Sequence, residues 1–160
     1  MRQQIDETIC AFGLFQLAYS TLDETLTAAV HKLWQAIGDA RTEAEVREMK
    51  FSRKVDAFKD AIKPLRGAPA LREALHYLNK AFKNIGDVNK WRNDRMHARV
   101  VFRPRLVLVD KKNGNPLPID YQDCMNQIQK VSDAVIAIES NLRDITGFFK
   151  IRQGLQRQSE

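Results

Sequence analysis

Residues 5–37 read IDETICAFGLFQLAYSTLDETLTAAVHKLWQAI, and their apolar side chains recur at steps of three and four. This spacing places the apolar side chains on one side of an α-helix. The stripe comprises Ile5, Ile9, Phe12, Phe15, Tyr19, Leu22, Leu26, Val30, Leu33 and Ile37. The pattern predicts one long helix, or two helices joined near Ser20, with Gly38 as a natural stop.

Two further helical patterns follow along the chain. Thr42 and Glu45 have the spacing of a capping box, which predicts a helix start. Apolar residues continue with helical spacing after this start, and Pro64 is expected to end the helix. A third helix is predicted from Leu71, and Gly86 is expected to end it.

The pattern changes in the last third of the chain. Asp87 is expected to cap a fourth helix, and residues 100–109 are then rich in β-branched and aromatic side chains. Asn113-Gly114 is the dipeptide typical of a tight hairpin turn. Asp120 is expected to open a last long helix, which Gly147 would close.

These elements predict an all-α protein, an up-and-down bundle of four to five helices with a small β-hairpin inserted before the last long helix. We expect a single domain over residues 1–160, since this length is typical of one hydrophobic core. Residues 149–160 are mostly polar, and we expect them to form a frayed tail.

Composition narrows the class of protein. The 160 residues are 44% hydrophobic and 29% charged, as in globular chains, and the net charge of +6 favours nucleic acid first and an anionic membrane second as partner. No apolar run reaches the roughly 20 residues that span a bilayer, and acids occupy the N-terminus where a signal peptide is apolar. Cys10 and Cys124 have no metal-site spacing, so we expect buried thiols in a cytoplasmic protein.

The chemistry of the chain is concentrated in residues 92–97, which read RNDRMH. Arg92 carries a planar, permanently charged fork that can hold a phosphate through two hydrogen bonds. His97 changes charge near neutral pH and can transfer a proton. The combination suits cleavage of a phosphodiester, with Asn93 as an additional polar group.

Basic residues surround this motif and predict a surface that binds RNA. They are Lys90, Arg95, Arg99, Arg103 and Arg105, the densest positive run in the chain. Such a run attracts a phosphate backbone in a salt-dependent way. Asp87 and Asp94 are the only acids nearby, and a metal site needs clustered carboxylates, so we expect no metal and no cofactor.

Helical geometry separates the two main groups of the motif. At about 100° per residue, Asn93 and His97 lie on one face, whereas Arg92 and His97 are about 140° apart. A two-fold dimer could bring the groups of two chains into one groove. The alternative is a solvated basic helix face with an ordinary surface histidine, the interpretation we also give to His31 and His76.

A helical bundle with Arg92, Asn93 and His97 near its C-terminal third resembles the HEPN superfamily (higher eukaryotes and prokaryotes nucleotide-binding). The signature of that family is an arginine followed by a polar residue, with a histidine four to six residues later. The resemblance extends loosely from Ile5 to Gly147, and Ala98 stands where the family often has glycine.

The resemblance implies a metal-independent endoribonuclease whose active site forms between the subunits of a homodimer. It implies that Arg92 binds the scissile phosphate, that His97 is a general base or acid, and that Asn93 orients His97 or the ribose. It also implies a toxin, partnered by an antitoxin, or a phage-defence effector. Other members are non-catalytic modules that bind RNA, nucleotide or a protein partner, and this alternative stays open.

Overall fold

The computed structural model describes the backbone of residues 2–103, 105–117 and 119–157, and the side chains of residues 7–98, 108–117 and 119–155. Within these ranges the expected all-α bundle, with a small hairpin before the last long helix, is confirmed. No helix in this part of the chain is both long and apolar enough to cross a membrane. The α-helices are α1 (Arg2–Ala36), α2 (Glu43–Arg47), α3 (Phe51–Ile62), α4 (Arg72–Met96) and α5 (Tyr121–Arg157).

Several predicted helix ends are confirmed, each with a local cause. Helix α1 is one continuous helix, and Gly38 after it has φ of 81°, a conformation that favours glycine. The Thr42 side chain and Glu45 form both hydrogen bonds of a capping box at the start of α2. Helix α3 ends at Ile62, before Pro64, and the Asp120 carboxylate accepts a hydrogen bond from the Asp123 N–H at the start of α5.

Four predictions about helix boundaries are wrong. Gly86 and Asp87 both lie inside α4, so one helix stands where a third and a fourth were expected. Gly147 lies inside α5, and the helix expected after Thr42 is divided by residues 48–50 into α2 and α3. A glycine inside a helix costs only about 1 kcal/mol relative to alanine. Buried side chains on both sides of each glycine offset this cost, and α5 therefore continues to Arg157 through most of the segment expected to fray.

The inserted hairpin is part of a three-stranded antiparallel sheet. Its strands are β1 (Arg99–Arg103), β2 (Arg105–Val109) and β3 (Pro116–Leu117), in the order β1-β2-β3. The Asn113-Gly114 turn, with Gly114 at φ of 74°, joins β2 to β3. The Gly114 N–H donates to the Asp110 carbonyl at 2.9 Å, which closes this turn.

The chain divides into two compact units. The first comprises residues 1–20 and 83–132, contains the predicted site, and is called the motif unit here. In it, Phe15 lies edge-on to Trp91 with ring centroids 4.8 Å apart, and Tyr19 binds Asn89. Tyr19 meets Asn89 while Gln16 meets Met96 further along α4, so α1 and α4 run antiparallel here.

The second unit comprises residues 21–82 and 133–160. Phe58 and Phe82 pack edge to face in it, with ring centroids 5.3 Å apart. Lys54 is 1% exposed, and its ammonium lies 2.8 Å from the Asp23 carboxylate. A buried lysine is tolerated when an opposite charge pairs with it, and here Asp23 supplies that charge.

Candidate functional site

The predicted motif lies at the C-terminal end of α4, in the motif unit. Arg92 and Asn93 occupy the penultimate turn of the helix, which ends at Met96. The His97 N–H donates to the Asn93 carbonyl at 3.1 Å, so the helical hydrogen-bond pattern extends to His97. This bond keeps Asn93 and His97 one turn apart on the same face.

Arg92 is half-buried and lies over an aromatic ring. Its Cζ atom is 4.5 Å from the centroid of the Tyr19 ring, within the range of a cation–π contact. Its Nη1 donates to the Asn93 Oδ1 at 3.4 Å. Its Nε is buried and has no hydrogen-bond partner among the described residues. No carboxylate in the described part of the chain forms an ion pair with Arg92.

Two amides connect Arg92 to α1. The Tyr19 hydroxyl donates to the Asn89 Oδ1 at 2.7 Å, and the Asn93 Nδ2 donates to the same oxygen at 3.5 Å. Asn93 thus contacts Asn89 through its amide nitrogen and Arg92 through its amide oxygen. The side chain of Asn93 is therefore engaged with Arg92, and only its backbone carbonyl binds His97.

His97 is exposed at the end of the helix. Among the described side chains, no hydrogen bond joins His97 to Arg92. The neighbouring Met96 is also exposed, and Gln16 donates a hydrogen bond to its sulfur at 3.4 Å. One chain therefore presents Arg92 and His97 as separate groups, as their angular spacing predicts.

Arg95, one of the predicted RNA-binding residues, is packed against an aromatic ring. Its Cζ lies 4.1 Å from the centroid of the Trp91 ring, and its Nη1 donates to the Trp91 carbonyl at 3.3 Å. Burial lowers the pKa of the Arg95 guanidinium, while the charges of Asp123 and Asp94 oppose that shift. Arg95 is thus partly neutralised by acids of the same unit.

Besides Arg95, the structure describes the side chain of Lys90 but only the backbone of the other predicted RNA-binding residues. Lys90 is exposed on α4 and free to meet solvent ions. Arg99 and Arg103 lie at the ends of β1, and Arg103 pairs in register with Arg105 of β2. The side chains of Arg99, Arg103 and Arg105 lie outside the described residues, so their roles stay predictions.

Tryptophan and cysteine are two other residue types in the motif unit whose side chains could bind or react. Trp91 lies between Phe15 and Arg95, so its ring is engaged in packing. Cys124 is buried, and burial raises the pKa of its thiol, whereas Cys10 is exposed. Within the described ranges, no three His, Cys, Asp or Glu side chains are grouped as a metal would require.

Sequence reasoning missed Tyr19 and Asn89 as members of the site. Tyr19 fitted the apolar stripe of α1 and was assigned to the core, where its ring does lie, 7% exposed. Asn89 carried a usable signal, since it stands four residues before Asn93 and three before Arg92 on α4. The partner of Asn89 on α1 has no signal in the sequence, because tertiary packing alone brings the two helices together.

Comparisons of the chain with models of protein families, with curated proteins and with solved structures found no match. The likeness to the HEPN superfamily therefore rests on Arg92, Asn93 and His97 and on the all-α fold. The geometry around Arg92 is an observation independent of that likeness.

Proposed function

We propose that this protein is a metal-independent endoribonuclease that acts as a homodimer. The observation that carries the proposal is the state of Arg92. Its guanidinium lies on Tyr19, contacts only an amide at its Nη1, and forms no ion pair with a described carboxylate. A positive group held in this way is suited to an anion from outside the chain, and phosphate matches the guanidinium fork.

The proposed reaction uses the 2′-hydroxyl of the RNA as nucleophile, because the hydroxyl of Tyr19, which lies near Arg92 in the described part of the chain, is engaged with the Asn89 Oδ1. The 2′-oxygen forms a bond to phosphorus while the bond from phosphorus to the 5′-oxygen breaks. His97 removes the 2′-proton, and the imidazolium so formed returns a proton through water to the leaving 5′-oxygen. The products are a 2′,3′-cyclic phosphate and a 5′-hydroxyl, and Arg92 stabilises the charge that develops on the phosphate.

A homodimer follows from the separation of the two groups. His97 is exposed at the helix end, and Arg92 lies on the face that packs against Tyr19. Under the proposal, His97 of one subunit acts on a phosphate held by Arg92 of the other. Lys90 would bind flanking phosphates, together with Arg99, Arg103 and Arg105. A role as a toxin with an antitoxin, or in phage defence, belongs to this same proposal.

The test is cleavage of a short oligoribonucleotide in buffer with excess EDTA. We expect cleavage that ends in a 2′,3′-cyclic phosphate, seen by mass spectrometry, and no cleavage of the same sequence with 2′-O-methyl riboses. His97→Ala should abolish cutting, and His76→Ala, which changes another exposed histidine, should not. Equal cleavage of the 2′-O-methyl strand would contradict the mechanism.

One observation favours a second function, binding without cleavage. The side chain of Asn93 is engaged with Arg92 and Asn89 rather than with His97, so one chain builds a phosphate-binding group without a coupled proton carrier. In that case Arg92→Ala would weaken RNA binding, and His97→Ala would leave it unchanged. Binding of intact RNA by the wild type without products in EDTA or in Mg²⁺ would establish this second function.

A further inference from the structure

Tyr19 makes two different contacts with α4. Its ring lies against the Arg92 guanidinium, with 4.5 Å between the Cζ atom and the ring centroid. Its hydroxyl donates to the Asn89 Oδ1 at 2.7 Å, the shortest of the polar contacts around Arg92. Packing in a helical core needs only the ring, which phenylalanine would supply equally well. The hydroxyl therefore has a separate task at Asn89.

That task is to orient a second amide. With its oxygen fixed by Tyr19, Asn89 is also in reach of the Asn93 Nδ2 at 3.5 Å. This contact turns the Asn93 Oδ1 toward the Arg92 Nη1, 3.4 Å away. Each step depends on the one before it, so the hydroxyl of a residue on α1 influences a guanidinium on α4.

The two contacts constrain Arg92 without consuming its charge. The Tyr19 ring centroid lies 4.5 Å from the Cζ atom, and the N–H groups of a guanidinium point along its own plane, where an oxyanion would bind. The buried Nε of Arg92 has no acceptor among the described residues. A buried N–H without an acceptor is destabilising, and a phosphate from solvent would meet the exposed part of this half-buried side chain rather than the buried Nε.

We propose that Tyr19 is a positioning residue, which holds the Arg92 guanidinium in the orientation that receives the scissile phosphate. Asn89 and Asn93 transmit the effect of its hydroxyl. This inference rests on the proposed function, because it assigns to Tyr19 a role in the same site. A free arginine side chain samples many rotamers, and misplacement by about 1 Å can lower a rate by about 100-fold.

The experiment compares Tyr19→Leu and Tyr19→Phe with the wild type in EDTA-resistant RNA cleavage. Tyr19→Leu removes both contacts, and we expect kcat to fall about 10- to 100-fold with a much smaller change in KM. Tyr19→Phe keeps the ring and loses only the hydroxyl, so we expect a fall of about 3-fold. A purely structural role would lower the melting temperature and the active fraction, and kcat would return to the wild-type value once it is normalised to the concentration of folded enzyme.

Phe12→Leu is the matched control. Phe12 also lies on α1 and contacts Trp91, with ring centroids 6.1 Å apart, and among the described residues no cation–π contact joins it to Arg92. We expect Phe12→Leu to destabilise the motif unit as much as Tyr19→Leu while kcat stays at the wild-type value. An equal loss of kcat in both variants would overturn the inference.

A double substitution shows whether Tyr19 acts through Arg92. In an Arg92→Ala background, Tyr19→Leu should cause no further loss of residual activity, since the group that it positions is absent. If the fold-losses of activity in Tyr19→Leu and Arg92→Ala multiply in the double variant, the inference about Tyr19 is contradicted and the role of Arg92 is unaffected. If Arg92→Ala itself cleaves like the wild type, the proposed function fails instead.

A spectroscopic measurement separates the inference from catalysis. The Arg92 Nε–H proton should show an upfield ring-current shift and slow exchange in the wild type, and both should be lost in Tyr19→Leu. An unchanged resonance in Tyr19→Leu would overturn the positioning role whatever the cleavage assay gives. A shifted and protected resonance in a protein that does not cleave RNA would overturn the proposed function alone.

Discussion

Arg92 and Arg41 both lie over an aromatic ring, yet their surroundings differ in one decisive respect. Arg41, in the second unit, lies 3.5 Å from the centroid of the Trp34 ring and forms an ion pair with Asp39. Two hydrogen bonds from the Arg41 Nε reach the Asp39 carboxylate at 3.0 and 3.1 Å. Arg92, in the motif unit, has Tyr19 beneath it and an amide where Arg41 has a carboxylate.

The difference shows how one side-chain stack can be structural in one place and suited to binding in another. The Asp39 charge neutralises Arg41, and the hydrogen bonds between their side chains raise the pKa of Arg41 and lower that of Asp39 to about 2. Arg41 is thus already paired within its own loop. The Asn93 amide orients Arg92 but does not neutralise it, so the charge of Arg92 remains available to a phosphate.

The largest expected effect is on cleavage. We predict that Arg92→Ala lowers kcat/KM for RNA by about 100- to 1000-fold, as loss of a group that stabilises transition-state charge does elsewhere. Arg41→Ala removes an equally stacked arginine and should leave kcat/KM at the wild-type value. The measurement is steady-state cleavage in EDTA with folding checked by circular dichroism, and equal losses in the two variants would abolish the distinction.

A single substitution can make Arg92 resemble Arg41. Asn93→Asp places a carboxylate beside the guanidinium, as Asp39 does for Arg41, and should lower kcat/KM about 10-fold or more because the added charge competes with the phosphate. The two side chains have nearly the same shape, so the substitution adds a charge and removes the Nδ2 donor to Asn89 without a change in volume. Wild-type activity in Asn93→Asp, measured at pH 7, would show that the neutrality of Asn93 is irrelevant.

A smaller effect is expected in the salt dependence of binding. For a single-stranded 2′-O-methyl RNA, which cannot be cleaved, loss of one phosphate contact reduces the slope of log K against log salt by about 0.7. Arg92→Ala and Lys90→Ala should each show this reduction, and Arg41→Ala should retain the wild-type slope. Fluorescence anisotropy from low to moderate salt measures these slopes, and lines for Arg92→Ala and Lys90→Ala that run parallel to the wild-type line would argue against the predicted contacts.

The smallest effect concerns the Asp39–Arg41 pair. Because the pKa of Asp39 is lowered from 3.8 to about 2 in the folded chain, its carboxylate stabilises the fold above pH 3.8. This stabilisation is lost as the pH falls through about 2. Asp39→Asn should therefore have a slightly lower melting temperature than the wild type at pH 7, and the two should converge near pH 2. A difference that stays constant with pH would exclude the ion pair as its source.

Local signals predicted the class of fold and several boundaries, and tertiary packing decided the others. The capping box at Thr42 and the stop at Gly38 depend on neighbouring residues, so the sequence alone was sufficient. The helices continue through Gly86 and Gly147 because the side chains on both sides of each glycine are buried. A local sequence pattern does not show which side chains tertiary packing will bury.

The candidate site divides in the same way. The Arg92, Asn93 and His97 triplet could be selected from the sequence because the three residues share one segment. Tyr19 could not be selected, since it lies 70 residues from its partner Asn89 in sequence. It also belongs to an apolar stripe, which predicts packing of its ring and no role for its hydroxyl. The stacking of Arg95 on Trp91 was also hidden, although their spacing of four residues on α4 makes such a contact possible.

The central claim is that Arg92 of one subunit works with His97 of its partner. The most direct test is to co-express Arg92→Ala and His97→Ala chains, each inactive alone, and to assay the mixed dimers for RNA cleavage in EDTA. We predict recovery to about a quarter of wild-type activity, since half of the dimers are mixed and each mixed dimer keeps one intact pair. Mixed dimers that form but remain inactive would contradict the claim.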